Sequence, residues 1–355
     1  MEEYKLSVAS SPHATSPVGT KNLMRDVLIA LIPAMAMGIY VFGPRALTTT
    51  LVSVIACVFF EWAYCKLMKK PNPVGDLSAT ITGVLLVFVC PVTLPYWTII
   101  IGDFFAIVIV KQLFGGLGTN FLNPALAGRA FLMLCYPVPM TTWAIPGTAN
   151  WAPLGMSVGQ DYIDSFTAAT PLSIDFMKSG ILPDYSLGDM FIGNIGGCVG
   201  EVSAIALLIG GIYLIAKGVI RIRIPAAYIL TVAVLTLIFC RGEGVNAFTW
   251  MLYEIFGGGL FLGAFFMATD YVTSPNTPKG EIIFGIGAGL LVVFIRFFGG
   301  YPEGVCYSIL VMNILVWLID KATMPKRFGV TAEMRKAEKE AAKAAKKAAK
   351  EGSEA

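Results

Sequence analysis

The sequence predicts an all-α integral membrane protein of about ten transmembrane helices, built as two inverted five-helix repeats. Three observations carry this. Of 355 residues, 56% are hydrophobic and only 14% charged, with a mean hydropathy of +0.72. That is too apolar for a water-soluble domain. About ten apolar runs approach the length needed to cross ~30 Å of hydrocarbon. Finally, a short string recurs at the ends of the fourth and ninth runs.

The first twenty residues are polar and contain no apolar stretch followed by a small-residue cleavage site. A cleaved signal peptide is therefore not expected, and residues 1–22 form an N-terminal arm. Spans are expected near residues 23–42, 46–65, 76–92, 97–114 and 123–137, which make up the first repeat (residues 23–137). The fifth is short and polar at its start, as a discontinuous or half-buried helix would be. Residues 138–189 form a long polar loop. The second repeat (residues 190–320) holds spans near 190–216, 224–240, 247–269, 281–298 and 303–319. Residues 321–355 are a Lys/Ala/Glu tail with helical propensity and no apolar stripe, expected to be solvated.

Positive charge orients this arrangement. With the N-terminus cytoplasmic, Lys21, Arg25, Lys66, Lys69, Lys70, Lys111, Lys217, Arg221, Arg223, Lys279, Lys321, Lys326 and Arg327 all fall at cytoplasmic ends. Arg45, Lys178, Arg241 and Arg296 fall outside. Both termini are then cytoplasmic, and the 138–189 loop lies on the outer face. Asp161, Asp164, Asp175, Asp184 and Asp189 against Lys178 make that loop acidic.

The recurring string is Ile109-Val110-Lys111-Gln112-Leu113-Phe114-Gly115-Gly116 against Phe294-Ile295-Arg296-Phe297-Phe298-Gly299-Gly300. Spans four and nine are five apart. Because five is odd, the second copy must cross the membrane inverted, an architecture that builds transporters and channels around a midplane interface.

Several chemistries are disfavoured. A formal charge of +3, with basic residues concentrated in the tail and short loops, argues against nucleic acid. One histidine, His13, in a polar arm leaves no Ser/His/Asp or Cys/His set. The seven cysteines lie in or beside apolar runs with no CxxC pair, so they read as packing or membrane-facing thiols rather than zinc or iron–sulfur ligands.

Ionisable residues inside apolar runs are costly, about 2.5–3.5 kcal/mol each on insertion scales, and so mark function or a structural pair. They are Glu61, Asp103, Arg129, Glu201 and Glu254. Asp103 and Arg129 are the deepest by hydropathy; Glu61 and Glu254 are expected nearer the interfaces. Asp103 suits an ion path, and Arg129 a phosphate, a carbonyl or a flavin edge. Gly115 to Asn120, followed by Asn123-Pro124, lacks the GK[ST] ending of a nucleotide-binding loop. As a glycine turn leading into a helix start, it offers Asn120, Asn123 and backbone N–H groups to an anion or a flavin carbonyl; a plain tight turn is the alternative. Ile195–Glu201 and Gly257–Gly259 carry small residues suited to close helix packing.

Longer strings then bring a family into view: SSPHATSPVGTK (Ser10 to Lys21), GDLSATITGVLL, VIVKQLFGG, GTNFLNPALAGRAFL and FMATDYVTSPNTPKG (Phe266 to Gly280). In this order they resemble the D subunits of Rnf complexes, which are related to the B subunit of the sodium-pumping NADH:quinone reductase. The resemblance covers about Tyr4 to Arg327. It implies an electron-transfer subunit of a cell-membrane complex that moves electrons between ferredoxin and NAD and exports sodium ions or protons, working with other Rnf subunits. It also implies covalent FMN, joined through a phosphoester by a flavin transferase to a threonine of the outer loop. The string Thr167-Ala168-Ala169-Thr170 matches that motif, with Ala168 where glycine is commoner, and makes Thr170 the implied attachment point. A second, noncovalent flavin such as riboflavin is known in the related reductase subunit. The competing expectations are a non-redox channel or secondary transporter, which would not need this motif, and a structural membrane anchor.

Overall fold

A computed structural model describes residues 19–71, 73–144, 146, 167–168, 172, 180, 182–183, 185–242, 245–299 and 304–325. Within them the fold is helical. Two long helices open the chain, α1 (Thr20–Phe42) and α2 (Pro44–Leu67), joined at Gly43, whose φ of 76° allows the reversal. Next come α3 (Ser78–Phe88), α4 (Tyr96–Phe104), which continues as a π-helix over Phe105–Gln112, and α5 (Pro124–Cys135). A single turn, α6 (Pro137–Met140), precedes a two-residue strand, β1 (Trp143–Ala144).

The second half holds β2 (Thr167–Ala168), α7 (Leu187–Ile192), α8 (Ala204–Ala216), α9 (Arg223–Ile238) and α10 (Ala247–Phe256). After a break come α11 (Leu260–Leu262), continuing as a π-helix over Gly263–Met267, then α12 (Pro278–Phe298) and α13 (Val305–Thr323).

Among the described residues, four helices are long and apolar enough to cross a membrane: α1, α2, α12 and α13. The broken pair Ala247–Phe256 and Leu260–Met267, bent by 61°, supplies a fifth if taken as one span. Helices α3, α5, α8 and α9 are shorter and apolar. Expected and observed boundaries agree closely for the long helices. Two expected spans are corrected. At 76–92 only the 11 residues of α3 are helical, about 16 Å at about 1.5 Å per residue, roughly half the hydrocarbon depth. The run at 190–216 is divided by non-helical backbone over residues 193–203, so only α8 follows as helix.

One continuous core joins both halves. In the first half α2 packs on α3 and α4, and α5 on α3 and α4. In the second, α9 packs on α10 and α12, and α13 on α12 and on the π-helix following α11. Helix α1 meets α8, and α5 meets α13. Where α9 and α12 touch, Gly285 and Gly289 present no side chain, and a Cβ at either would lie 2.7 Å from Ala227 or Thr231. Dispersion between closely approached backbones is the main attraction available to helices in lipid. Large apolar side chains such as Ile55, Leu230, Phe294 and Trp317 stay exposed on the outside of the bundle, the pattern of a surface facing hydrocarbon rather than water.

Candidate functional site

Two interrupted helices meet in the middle of the bundle. The last carbonyls of a helix have no intrahelical partner, and in a bilayer such groups must be satisfied by protein. Around the end of α3 the non-helical 198–200 segment does this. Gly200 N donates to Phe88 O at 3.0 Å and Val199 N to Cys90 O at 3.1 Å, beside an antiparallel bridge between Pro91 and Cys198. A Cβ at Gly200 would lie 2.3 Å from the Phe88 ring, so glycine is required for the approach.

The second interruption is Gly257-Gly258-Gly259, between α10 and α11. Gly258 and Gly259 take φ of 64° and 67°, a left-handed conformation that few other residues tolerate. Arg296 of α12 closes this break. Its Nη1 donates to Glu254 O at 2.6 Å and Glu254 Oε2 at 2.9 Å, and its Nη2 donates to Gly257 O at 3.2 Å. Both side chains of the pair are fully buried. Leu172, itself buried, seats against the same glycines, its Cδ1 2.5 Å from where a Gly258 Cβ would be.

Of the implied flavin-attachment motif, Thr167 and Ala168 form β2, whose backbone pairs antiparallel with β1, Trp143 opposite Ala168 and Ala144 opposite Thr167. Ala169 and Thr170 lie outside the described residues, so nothing structural is drawn for them. In sequence Thr170 falls two positions after this ladder and two before Leu172.

Arg129, on α5, is buried and reaches Cys198 Sγ at 4.0 Å, with Glu201, Cys90 and Cys306 in its electrostatic surroundings. It therefore belongs to the central junction. Glu201 also faces Gly259, where a Cβ would lie 2.4 Å from its carboxylate. Asn123 caps α5, its Oδ1 accepting from Ala125 N (3.1 Å) and Leu126 N (3.4 Å), while its Nδ2 donates to Met267 O at 3.3 Å. Asn120 Nδ2 donates to Leu122 O at 3.0 Å. The Gly115–Asn120 turn uses glycines at φ of 118°, 98° and 94°, and Gly115 N and Gly116 N bond back to Gln112 O and Lys111 O. Some donors expected to be free for an anion are thus already committed. Asn120 and Asn123 line one cavity together with the polar Lys111, Thr269, Asp270 and Tyr271 and the apolar Leu85, Phe265 and Phe266. Arg129 is not part of its lining. In the turn after the second π-helix, burial raises the Asp270 carboxyl above its ordinary value, opposed by a hydrogen bond from Thr273 Oγ1 at 3.1 Å.

Asp103 is buried on α4. Its Oδ1 accepts from Ser53 Oγ at 2.7 Å and from Cys57 Sγ at 3.2 Å. Glu61 and Glu254 are fully buried within the bundle. Lys111 and Arg296, expected at span ends, are their buried partners, Lys111 Nζ meeting Glu61 Oε1 at 2.6 Å. The charges pair because an isolated ion in a low-dielectric interior is costly. Ser53 and Cys57 give no signal as single small residues, although their four-residue spacing on one helix is readable.

A polytopic helical membrane protein with interrupted helices and buried ion pairs at a central junction is the class these features define. Sequence comparison places it further. Residues 7–329 match the family described as NQR2, RnfD, RnfE, and the chain belongs to that family. It is 47% identical over 341 residues to the D subunit of the Na(+)-translocating ferredoxin:NAD(+) oxidoreductase complex of Acetobacterium woodii, covering 95% of this chain and 99% of the relative. It is 43% identical over 331 residues to the D subunit of the proton-translocating ferredoxin:NAD(+) oxidoreductase complex of Clostridium ljungdahlii, covering 91% and 96%. Identity to the D subunit of the ion-translocating oxidoreductase complex of Cronobacter sakazakii is 36% over 351 residues, covering 91% and 98%.

Proposed function

We propose that this chain is a flavin-carrying electron-transfer subunit of a cell-membrane complex that moves electrons between ferredoxin and NAD and couples that transfer to ion translocation. The observation that carries the reading is the Thr167-Ala168-Ala169-Thr170 string in a chain of this family, set between a backbone ladder on β1 and the buried seat of Leu172. A threonine hydroxyl esterified there by FMN phosphate, with a flavin transferase as the maturation partner, would hold the flavin beside the interrupted helices. The bound flavin supplies the electron-carrying chemistry; the protein's part is to attach it, position it and exclude water.

A second, noncovalent flavin such as riboflavin is proposed for the cavity beside Asn120 and Asn123. Its lining supports this: it combines amide and hydroxyl groups suited to ring carbonyls with apolar side chains suited to a flat ring.

The proposed architecture is ten membrane-inserted segments in two inverted repeats, those near 76–92 and 190–216 being interrupted rather than continuous helices. Its support is the parallel packing in the two halves, together with the repeat-matched Lys111 and Arg296, each of which pairs with a buried glutamate. Both termini cytoplasmic and the Thr170 loop outside follow from the charge distribution. The other subunits of the complex are the expected partners.

The test is in-gel flavin fluorescence of the fully denatured chain, produced with its transferase, beside Thr170→Ala. Fluorescence that survives denaturation in the wild type and is lost in the variant is expected. A dark wild-type band overturns the reading in favour of a channel or an anchor.

A further inference from the structure

Helix α2 carries Arg45, Thr49, Ser53, Cys57, Glu61 and Cys65, one residue every four. All six are buried. Four-residue spacing lays them along one inclined ridge that winds partly around the helix as it rises. From Arg45 to Cys65 the ridge rises about 30 Å at about 1.5 Å per residue, comparable to the ~30 Å hydrocarbon depth. The chain therefore holds a winding file of buried, mostly polar side chains along nearly the full length of α2, a helix that is otherwise largely apolar.

Neighbouring backbone and side chains answer this file with polar groups of their own. At one end Arg45 Nε donates to Val92 O at 2.9 Å. At the other, Glu61 accepts from Lys111 Nζ (2.6 Å) and Gln112 Nε2 (2.8 Å), and Lys111 also donates to Ser78 Oγ at 2.6 Å. Midway, Ser53 Oγ lies 3.1 Å from Gly83 O and 2.7 Å from Asp103 Oδ1, and the Cys57 thiol is 3.2 Å from that same oxygen.

Asp103 differs from Glu61 and Glu254, the other two acids fully buried on the spanning helices. Glu61 has Lys111 and Glu254 has Arg296. Asp103, fully buried, has only a neutral hydroxyl and a neutral thiol, both on Oδ1, while Oδ2 is buried with no hydrogen-bond partner among the described residues. Thr49, one turn along the file, likewise has a buried, unpartnered hydroxyl. A bare carboxylate in such a place is very costly, whereas a neutral carboxylic acid is tolerable.

We propose that Asp103 is a reversible proton-binding carboxyl at the middle of this intramembrane file. The proton adds to the free Oδ2 of the carboxylate, giving a neutral acid, and leaves from the same oxygen on release; nothing is oxidised. Ser53 and Cys57 hold Oδ1 and so orient Oδ2. The titratable and charged groups facing Asp103 are few. Cys57 bonds it directly, the buried Cys90 just past the end of α3 lies within its electrostatic reach, and Arg45 and Glu61 stand two turns away on α2. Helix α3 presents no titratable side chain. Lys111, two turns along α4 and its π continuation, is engaged by Glu61, and Arg129 of α5 is directed to the central junction. The proposal rests on the reading of this chain as part of an ion-translocating complex and assigns the proton as the ion bound at this position.

The test uses the purified complex in lipid vesicles in sodium-free medium, with wild type, Asp103→Asn and Ser53→Ala. Infrared spectra in H2O and D2O read the carbonyl stretch of a protonated carboxyl, and a pH dye reads electron-driven proton movement. A deuterium-sensitive carboxyl band is expected in the wild type, lost in Asp103→Asn, together with loss of proton movement. Ser53→Ala keeps the carboxyl and should shift the band, which settles the matter if Asp103→Asn fails to assemble. The proposal is overturned if the band persists in Asp103→Asn, if Ser53→Ala leaves it unmoved, or if Asp103→Asn keeps proton movement but loses uptake of radioactive sodium in a parallel assay with sodium present. Flavin fluorescence of the same chains after denaturation separates failure of this proposal from failure of the flavin reading.

Discussion

Removing Arg296 should loosen the helix break that the rest of the site depends on. The guanidinium serves three acceptors: the Glu254 carboxylate, the Glu254 carbonyl and the Gly257 carbonyl at the interruption itself. In Arg296→Met the stem's apolar packing is largely kept, so the loss is electrostatic. It leaves a fully buried carboxylate without its cation, a loss worth about 3–5 kcal/mol where buried pairs have been broken. The two orphaned carbonyls add about 1–3 kcal/mol each. Part of this is relieved if Glu254 takes a proton. We therefore expect Arg296→Met to cost roughly 3–5 kcal/mol, and Arg296→Met combined with Glu254→Gln to cost clearly less, because the uncompensated charge is gone. Denaturant unfolding of the detergent-solubilised chain across the double-mutant cycle measures both quantities. A loss of less than ~1 kcal/mol for the single variant, typical of an exposed pair, would refute the reasoning. So would a double variant as unstable as the sum of the two singles.

Other consequences follow from the same geometry. Gly200→Ala places a Cβ 2.3 Å from the Phe88 ring and should cost about 1–3 kcal/mol by overpacking, read as a lowered unfolding midpoint. Asn123→Ala removes the α5 cap and the bond to Met267 O; a loss of about 0.5–2 kcal/mol is expected, with Asn123→Asp recovering most of the cap. Glu281 is approached by Arg221 and Arg223, whose side chains are 66% and 43% exposed, so Glu281→Gln should change stability by only about 0–1 kcal/mol per pair, less at high salt. Burial raises the Asp270 carboxyl in the folded chain, so the folded state holds its proton to higher pH than the unfolded one. Stability should then fall as pH rises from the ordinary aspartate range through that raised value, and Asp270→Asn should flatten that part of the profile.

What can be read from the sequence divides along a physical line. Helices α1, α2, α12 and α13 are legible because a long apolar run is itself the requirement for crossing a bilayer. The interruptions are not. Residues 76–92 and 190–216 are apolar throughout most of their length, and what ends α3 is a backbone pairing between Phe88–Cys90 and Val199–Gly200, more than a hundred positions away in the chain. Hydropathy cannot register such a contact. The burial of Lys111 and Arg296 escapes the sequence for a related reason: each sits near the end of an apolar run, and only tertiary packing reveals a glutamate beside it. Asp103 and Arg129 stand out because a charge in hydrocarbon is expensive wherever it lies. Their neighbours Ser53 and Cys57 are cheap as single residues and become visible only as part of the four-residue ladder on α2. The motif at Thr167–Thr170 is legible through resemblance alone, since a threonine in a polar loop has no physical signature of its own.

The most direct test of the central claim is the intact mass of the chain, purified with its complex from cells that contain the flavin transferase and then fully denatured. A species heavier than the polypeptide by one FMN less one water is expected, with the added mass mapping to the peptide that contains Thr170 and absent from Thr170→Ala. A wild-type chain at the unmodified polypeptide mass, or an adduct that persists in Thr170→Ala, would contradict the claim.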